Sequence, residues 1–162
     1  MGHKLLVGFA CCFVASTVWS QAMDNRTIIG AGNEFLSAAS FAIRMGQYDE
    51  GIRLTHLGLN RYQPSDRDRA AALSNLCGAH AAKGEPDIAI PYCDESIEMN
   101  DKDWRAFSNR SYAYFLKGML KEAEENLAIA VDIDPSAKQV LQIRGMINEL
   151  GLRPRVIMED HQ

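Results

Sequence analysis

Two cysteines and a histidine have the spacing in this chain best suited to chemistry. Cys77 and Cys93 each stand eight residues from Glu85, one on either side of the Gly84-Glu85 pair. If a helical hairpin turns at that pair, the two thiols face each other across it. Helices at their closest pack roughly 8 Å apart, which brings facing Cα atoms within the ~4.4–6.8 Å reach of a disulfide. Such a bond would stabilise the fold by about 3 kcal/mol. Two other readings stay open. The thiols can remain free as small buried apolar groups. Alternatively Cys77, His80 (one helical turn on) and Cys93 can converge as three soft ligands for zinc or copper, with Asp94 adjacent and no evident fourth ligand.

Other reactive patterns are missing. The sequence holds no phosphate loop, no Gly-x-Ser-x-Gly, no His-Glu-x-x-His and no Cys-x-x-Cys. His56 sits beside a core-facing Thr55, His161 lies near residue 162, and Glu122, Glu124 and Glu125 spread around their helix. No base and nucleophile fall within reach of one another. The expectation is a protein that is not an enzyme and needs no cofactor. Its 17 Lys and Arg against 21 Asp and Glu, a formal net charge of −4, exclude a basic nucleic-acid footprint. With 47% hydrophobic and 23% charged residues the balance is globular, and 12 Gly with 5 Pro are too few for an all-β chain of tight turns.

The elements that must position these residues begin after an address. His3 and Lys4 precede an apolar run from Leu5 to Ala15, and Ser20 and Ala22 have the spacing of small residues before a signal-peptidase cut. Residues 1–22 therefore read as a signal peptide, with Cys11 and Cys12 as filler in its apolar core. The run is shorter than the roughly 20 residues of a spanning helix, so no membrane insertion is expected after cleavage. The expected location is periplasmic or secreted, an oxidising setting for Cys77 and Cys93. Residues 23–31 read as a loose N-terminal segment.

Beyond them the chain repeats. A shift of 34 residues lays 70–103 over 104–137 without a gap, with identities at Ala72/Ala106, Ser74/Ser108, Asn75/Asn109, Ala79/Ala113, Lys83/Lys117, Gly84/Gly118 and Ala89/Ala123. A further copy, 32–65, matches at Phe35, Gly46, Tyr48, Ile52 and Leu59, and four extra residues around Ser65 to Arg69 join it to the next. Each copy reads as helix, Gly-centred turn, helix. One such hairpin cannot bury its apolar stripe alone, so the copies must stack. Gly46, Gly84 and Gly118 fall where a helix end needs a left-handed residue, and Pro135 follows the last turn. Residues 138–150 read as a seventh, capping helix with Val140, Ile143, Met146, Ile147 and Leu150 on one side, and 152–162 as a flexible tail.

The period, the turn glycines, the small residues at the close helix contact, Ala89, Ala123 and Pro135 resemble the tetratricopeptide repeat family. The match is closest over Ala106–Gly118 and on to Asp134-Pro135. The middle copy departs at His80, Pro86 and Asp101, and the first carries Gly51 and Gly58 where Ala is usual. The resemblance spans residues 32–137. It implies an all-α fold of three tandem helix-turn-helix repeats plus a C-terminal capping helix over 32–151, wound as a short right-handed solenoid.

It also implies where function lies. In this family the groove lined by the first helices commonly holds an extended segment of a partner protein. Asn75 and Asn109 share a repeat position expected to face that groove, and an amide can donate to and accept from a peptide backbone at once. Arg105 and Arg44 are anion partners nearby, and Tyr112 and Phe115 supply apolar contact. The Ser108-Asn109-Arg110 run resembles the subset that clamps chaperone C-termini, but Leu36, Ser40, Ser74 and Gly78 depart from that pattern and set it aside. The resulting expectation is a non-enzymatic adaptor binding a protein or peptide segment, monomeric or weakly dimeric through its end helices. The metal-binding module on Cys77, His80 and Cys93 is the alternative.

Overall fold

The structure, a computed structural model, describes residues 33–151. The segments read as signal peptide (1–22), loose N-terminal segment (23–31) and tail (152–162) lie outside them. Among the described residues there are seven helices and no strand: α1 (Glu34–Arg44), α2 (Tyr48–Arg61), α3 (Asp66–Ala82), α4 (Pro86–Met99), α5 (Trp104–Leu116), α6 (Leu120–Ile133) and α7 (Lys138–Gly151). The expected repeats 32–65, 70–103 and 104–137 each contain one hairpin, and α7 follows as the additional helix.

The turns form for the reason the sequence suggests. Gly46, Gly84 and Gly118 have φ of +75°, +77° and +73°, and no other residue type takes a positive φ among the described residues. In each turn the residue after the glycine donates back to the last helical turn: Gln47 to the Ala42 carbonyl, Glu85 to that of His80, and Met119 to that of Tyr114. These bonds satisfy carbonyls the helix end leaves open. The stretch around Ser65 is not a linker. Ser65 caps α3 by accepting from the Asp68 N–H, and Asp66 and Asp68 sit in the first turn. Carboxylates there favour the positive end of the helix dipole, so the extra residues lengthen α3 backwards.

Close packing within hairpins rests on small residues. Ser111 Oγ donates to the Ala123 carbonyl at 2.7 Å, and Cys77, Ala81, Ala89, Cys93 and Ala113 form one buried cluster. Gly51 and Gly58 have a specific cause. A Cβ on Gly51 would lie 2.4 Å from Ile43 Cγ1, and one on Gly58 2.6 Å from Leu36 Cδ2. The bulk sits on α1, so α2 gives way. In the middle of the stack, α3 is buried continuously from Ala70 to Ala81, because α1, α2, α4 and α5 all touch it.

The contacts also set the curvature. First helices touch one another along the series α1, α3, α5, α7, whereas the backbones of α2 and α4, and of α4 and α6, stay apart; His56 on α2 and Tyr92 on α4 meet through their rings, 6.2 Å between centroids. The first helices therefore lie on the inner arc and line a groove. Polar ties run within and between repeats. Ser96 Oγ donates to the Ala70 carbonyl at 2.9 Å inside the middle repeat, and Arg110 reaches Asn126 in its own repeat and Asp94 in the one before. Lys83 pairs with Asp49 and Lys117 with Asp87, one repeat apart; such exposed pairs add at most about 1 kcal/mol each.

Candidate partner-binding groove

Cys77 and Cys93 are joined as a disulfide, with Cα atoms 5.3 Å apart. Both are fully buried, and Cys93 Sγ lies 3.1 Å from the Ala106 carbonyl oxygen, against α5. The metal reading is corrected here. Once bonded to each other, the two sulfurs have no thiolate to offer a metal. His80 turns elsewhere: its Nδ1 lies 2.7 Å from Glu85 Oε2 and its ring stacks on Tyr92 at 5.6 Å between centroids. No cluster of three metal-ligating side chains exists among the described residues. The His80 hydrogen bond, with Lys83 beside it, holds the Glu85 carboxyl below the usual carboxylate range.

The two asparagines are also placed differently from expectation. Asn75 is 3% and Asn109 4% exposed. Asn75 Nδ2 donates to Ser40 Oγ at 3.0 Å. Asn109 Nδ2 donates to the Ser74 carbonyl at 2.9 Å, and its Oδ1 accepts from Gln139 Nε2 at 2.6 Å. The amides lie between neighbouring inner helices, not in the groove. Gly78 makes this possible, since a Cβ there would stand 2.9 Å from Asn109 Nδ2. Small residues at Ser40, Ser74 and Gly78 bring the inner helices close enough for an amide to bridge them.

The remaining expected residues fall at two ends of the groove, because the first helices run parallel. At their C-terminal end, the rings of Tyr112 and Phe115 stack at 6.3 Å, and Leu116 is exposed beside them. Burial raises the Tyr112 phenol above its ordinary pKa. On α1, the Arg44 guanidinium lies 5.7 Å from the centre of the exposed Phe41 ring. Arg105 is at the opposite end. It stacks on Trp104 at 4.5 Å, and with Arg67, Lys102, Asn100, Asp103 and Ala71 it lines a cleft of about 210 Å³. Repeat alignment did not point to Arg67 and Lys102, which come from the added first turn of α3 and from the α4–α5 loop. The Ser65 cap signal could have found the first of them.

Asp103, which caps α5 by accepting from the Arg105 N–H at 3.1 Å, is 9% exposed. Burial pushes its carboxyl above the ordinary range, against the opposing pull of the Arg105 N–H, the Arg105 charge and the nearby Ser74 hydroxyl. A raised folded-state pKa means the folded chain holds this proton more tightly than the unfolded one. Its contribution to stability is then largest in acid and declines as pH rises from about 4 through the raised value. Asp103→Asn keeps the cap acceptor and removes that declining component. Its stability at pH 7 is expected to stay within about 1 kcal/mol of wild type, unchanged or higher. Melting temperatures measured from pH 3.5 to 7 check this; an identical pH slope in wild type and variant counts against it.

Three stacked hairpins with their first helices on the inner arc define a tandem helical-repeat domain of the tetratricopeptide fold. Solved structures share it. The second TPR domain of human RPAP3, in complex with the HSP70 peptide SGPTIEEVD, superposes with a TM-score of 0.58 at 19% identity, over 70% of this chain and 92% of that one. The first TPR of Spaghetti (RPAP3), bound to the HSP90 peptide SRMEEVD, gives 0.62 at 18%, over 74% and 94%. The Sgt2 TPR domain from Aspergillus fumigatus gives 0.59 at 17%, over 79% and 88%. At these identities the likeness is one of fold. No family model matches the sequence, and no curated protein does.

Proposed function

We propose that this chain is a non-enzymatic adaptor that holds an extended segment of a partner protein in the groove of its first helices, in a periplasmic or extracellular compartment. One observation carries the reading: the first helices contact one another in series along the inner arc, and the groove they line ends in a stacked aromatic pair on one side and a cleft of about 210 Å³ lined by three cations on the other. Adjacent helices are roughly 8–10 Å apart, so an extended chain at about 3.3 Å per residue meets a new helix every third residue. The aromatic end with Tyr112, Phe115 and Leu116 suits an apolar side chain of the segment, and the cleft with Arg67, Lys102 and Arg105 suits an acidic one.

The RPAP3 domains solved with peptide segments support this mode. The compartment is supported by the paired Cys77 and Cys93 and by the character of residues 1–22. Peptides selected by display on the chain are the test. Arg105→Ala with Phe115→Ala is expected to weaken selected extended peptides at least about tenfold, roughly 1.4 kcal/mol, while Lys121→Ala on the outer surface leaves them unchanged. Peptides lost only on the outer-surface change, or no selected peptide at all, would refute the groove.

A further inference from the structure

The inner helices turn the same register positions toward the repeat before them. With Ala70 and Trp104 each counted as position 1 of a 34-residue copy, positions 3 and 10 carry Ala72 and Ala79 on α3 and Ala106 and Ala113 on α5, all fully buried. Position 6 carries Asn75 and Asn109, whose amides reach back to Ser40 and to the Ser74 carbonyl. On α1, with residue 32 as position 1, the same positions are Glu34, Ser37 and Phe41. Among the described residues no helix precedes α1, and all three are exposed.

A terminal repeat keeps a stack soluble by turning a polar face outward. Here the buried alanine of the other copies gives way to Phe41, 57% exposed, and Met45 follows one turn later at 61%. These are the most exposed large apolar side chains among the described residues. At about 100° per residue, Glu34, Ser37, Ala38, Phe41, Arg44 and Met45 share about a third of the helix circumference. The order along this face decides what fits it. Small residues fill its first half and large ones its second, with an acid in the first turn and a base in the last. Reversed end for end, the face is complementary to itself. An antiparallel second α1 sets Phe41 against Ala38 and brings the Glu34 carboxylate to the Arg44 guanidinium. A two-fold contact is reciprocal, so each pairing occurs twice. Neither charge is spent in an ion pair among the described residues, and Arg44 rests against the Phe41 ring instead.

We propose that the occupant of this face is a second copy of the chain, docked antiparallel through α1 about a two-fold axis at the level of Ala39 and Ser40. The contact is one 11-residue helix on another, at the small end of protein interfaces, so the dimer is a weak one. It does not depend on what the groove binds. Sedimentation equilibrium on the full chain tests it, and a monomer–dimer equilibrium with a Kd below about 1 mM is expected. Glu34→Arg sets like charges together at both ends of the pairing, and so does Arg44→Glu. Each variant alone is expected to dimerise at least about tenfold more weakly than wild type. Mixed in equal amounts, the two variants restore opposite charges at both ends, and dimers should return to near the wild-type level. That recovery separates docking from folding, because mixing does not mend a misfolded chain. Phe41→Asp should be monomeric with the helical circular dichroism of wild type. A wild-type chain that stays monomeric at the same concentration would overturn the proposal and leave the face to another segment or another protein. Species larger than a dimer would overturn it as well, since they need α1 to meet a different surface. So would variants that stay apart when mixed.

Discussion

Reduction of the Cys77–Cys93 bond is expected to lower the stability of the domain by about 3 kcal/mol, a fall in melting temperature on the order of 10 °C for a domain this size. The two cysteines are 16 residues apart, and opening a loop of that length returns entropy to the unfolded chain. The bond sits at the centre of the stack. Pro91, inside α4, already takes a backbone donor from the same hairpin, and α3 is touched by four other helices. Loss of the covalent tie therefore loosens the repeat on which both neighbours rest. Cys77→Ala with Cys93→Ala should show a loss of similar size. The diagnostic is that a reducing agent then has no further effect on the variant. Equal melting temperatures for the wild-type chain with and without reductant would sink the argument.

Much of this architecture is readable from local chemistry. The turn glycines announce the hairpins because only glycine takes positive φ cheaply. Near-equal spacing about the Gly84-Glu85 turn puts Cys77 and Cys93 at the same level of an antiparallel hairpin, and the small residues between its helices let them meet. The direction of Asn75 and Asn109 is a different kind of fact. A repeat position tells which side of a helix a residue is on. Whether its amide enters the groove or bridges to the next helix depends on an interhelical distance, and Ser40, Ser74 and Gly78 set that distance from other elements. For the same reason the added turn of α3 and the cations Arg67 and Lys102 escape a reading by alignment. They belong to what is inserted between copies, not to what the copies share.

Asn109→Ala is expected to destabilise the domain by about 2–4 kcal/mol, although the residue lies beside the groove. Its amide spans three inner helices: Nδ2 to the Ser74 carbonyl on α3, Oδ1 from Gln139 on α7. Truncation leaves the Gln139 amide buried without its acceptor, at about 1–3 kcal/mol, removes the extra donor from the Ser74 carbonyl, which keeps its helical partner, and opens a gap against Gly78. Asn109→Asp tests the donor alone. The carboxylate still accepts from Gln139 but presents negative charge to the Ser74 oxygen, so it should be no better than alanine above the carboxylate pKa and partly recover in acid. Denaturant unfolding reads the loss as a lower midpoint with unchanged slope. Asn109→Ala combined with Gln139→Ala should cost less than the sum of the single changes, because one hydrogen bond is counted in both. A residue that gripped a partner from the groove surface would behave oppositely, with stability within about 0.5 kcal/mol of wild type and binding lost. That pattern would return Asn109 to the partner-binding set. The buried pattern makes it the tie that holds α3, α5 and α7 at their spacing.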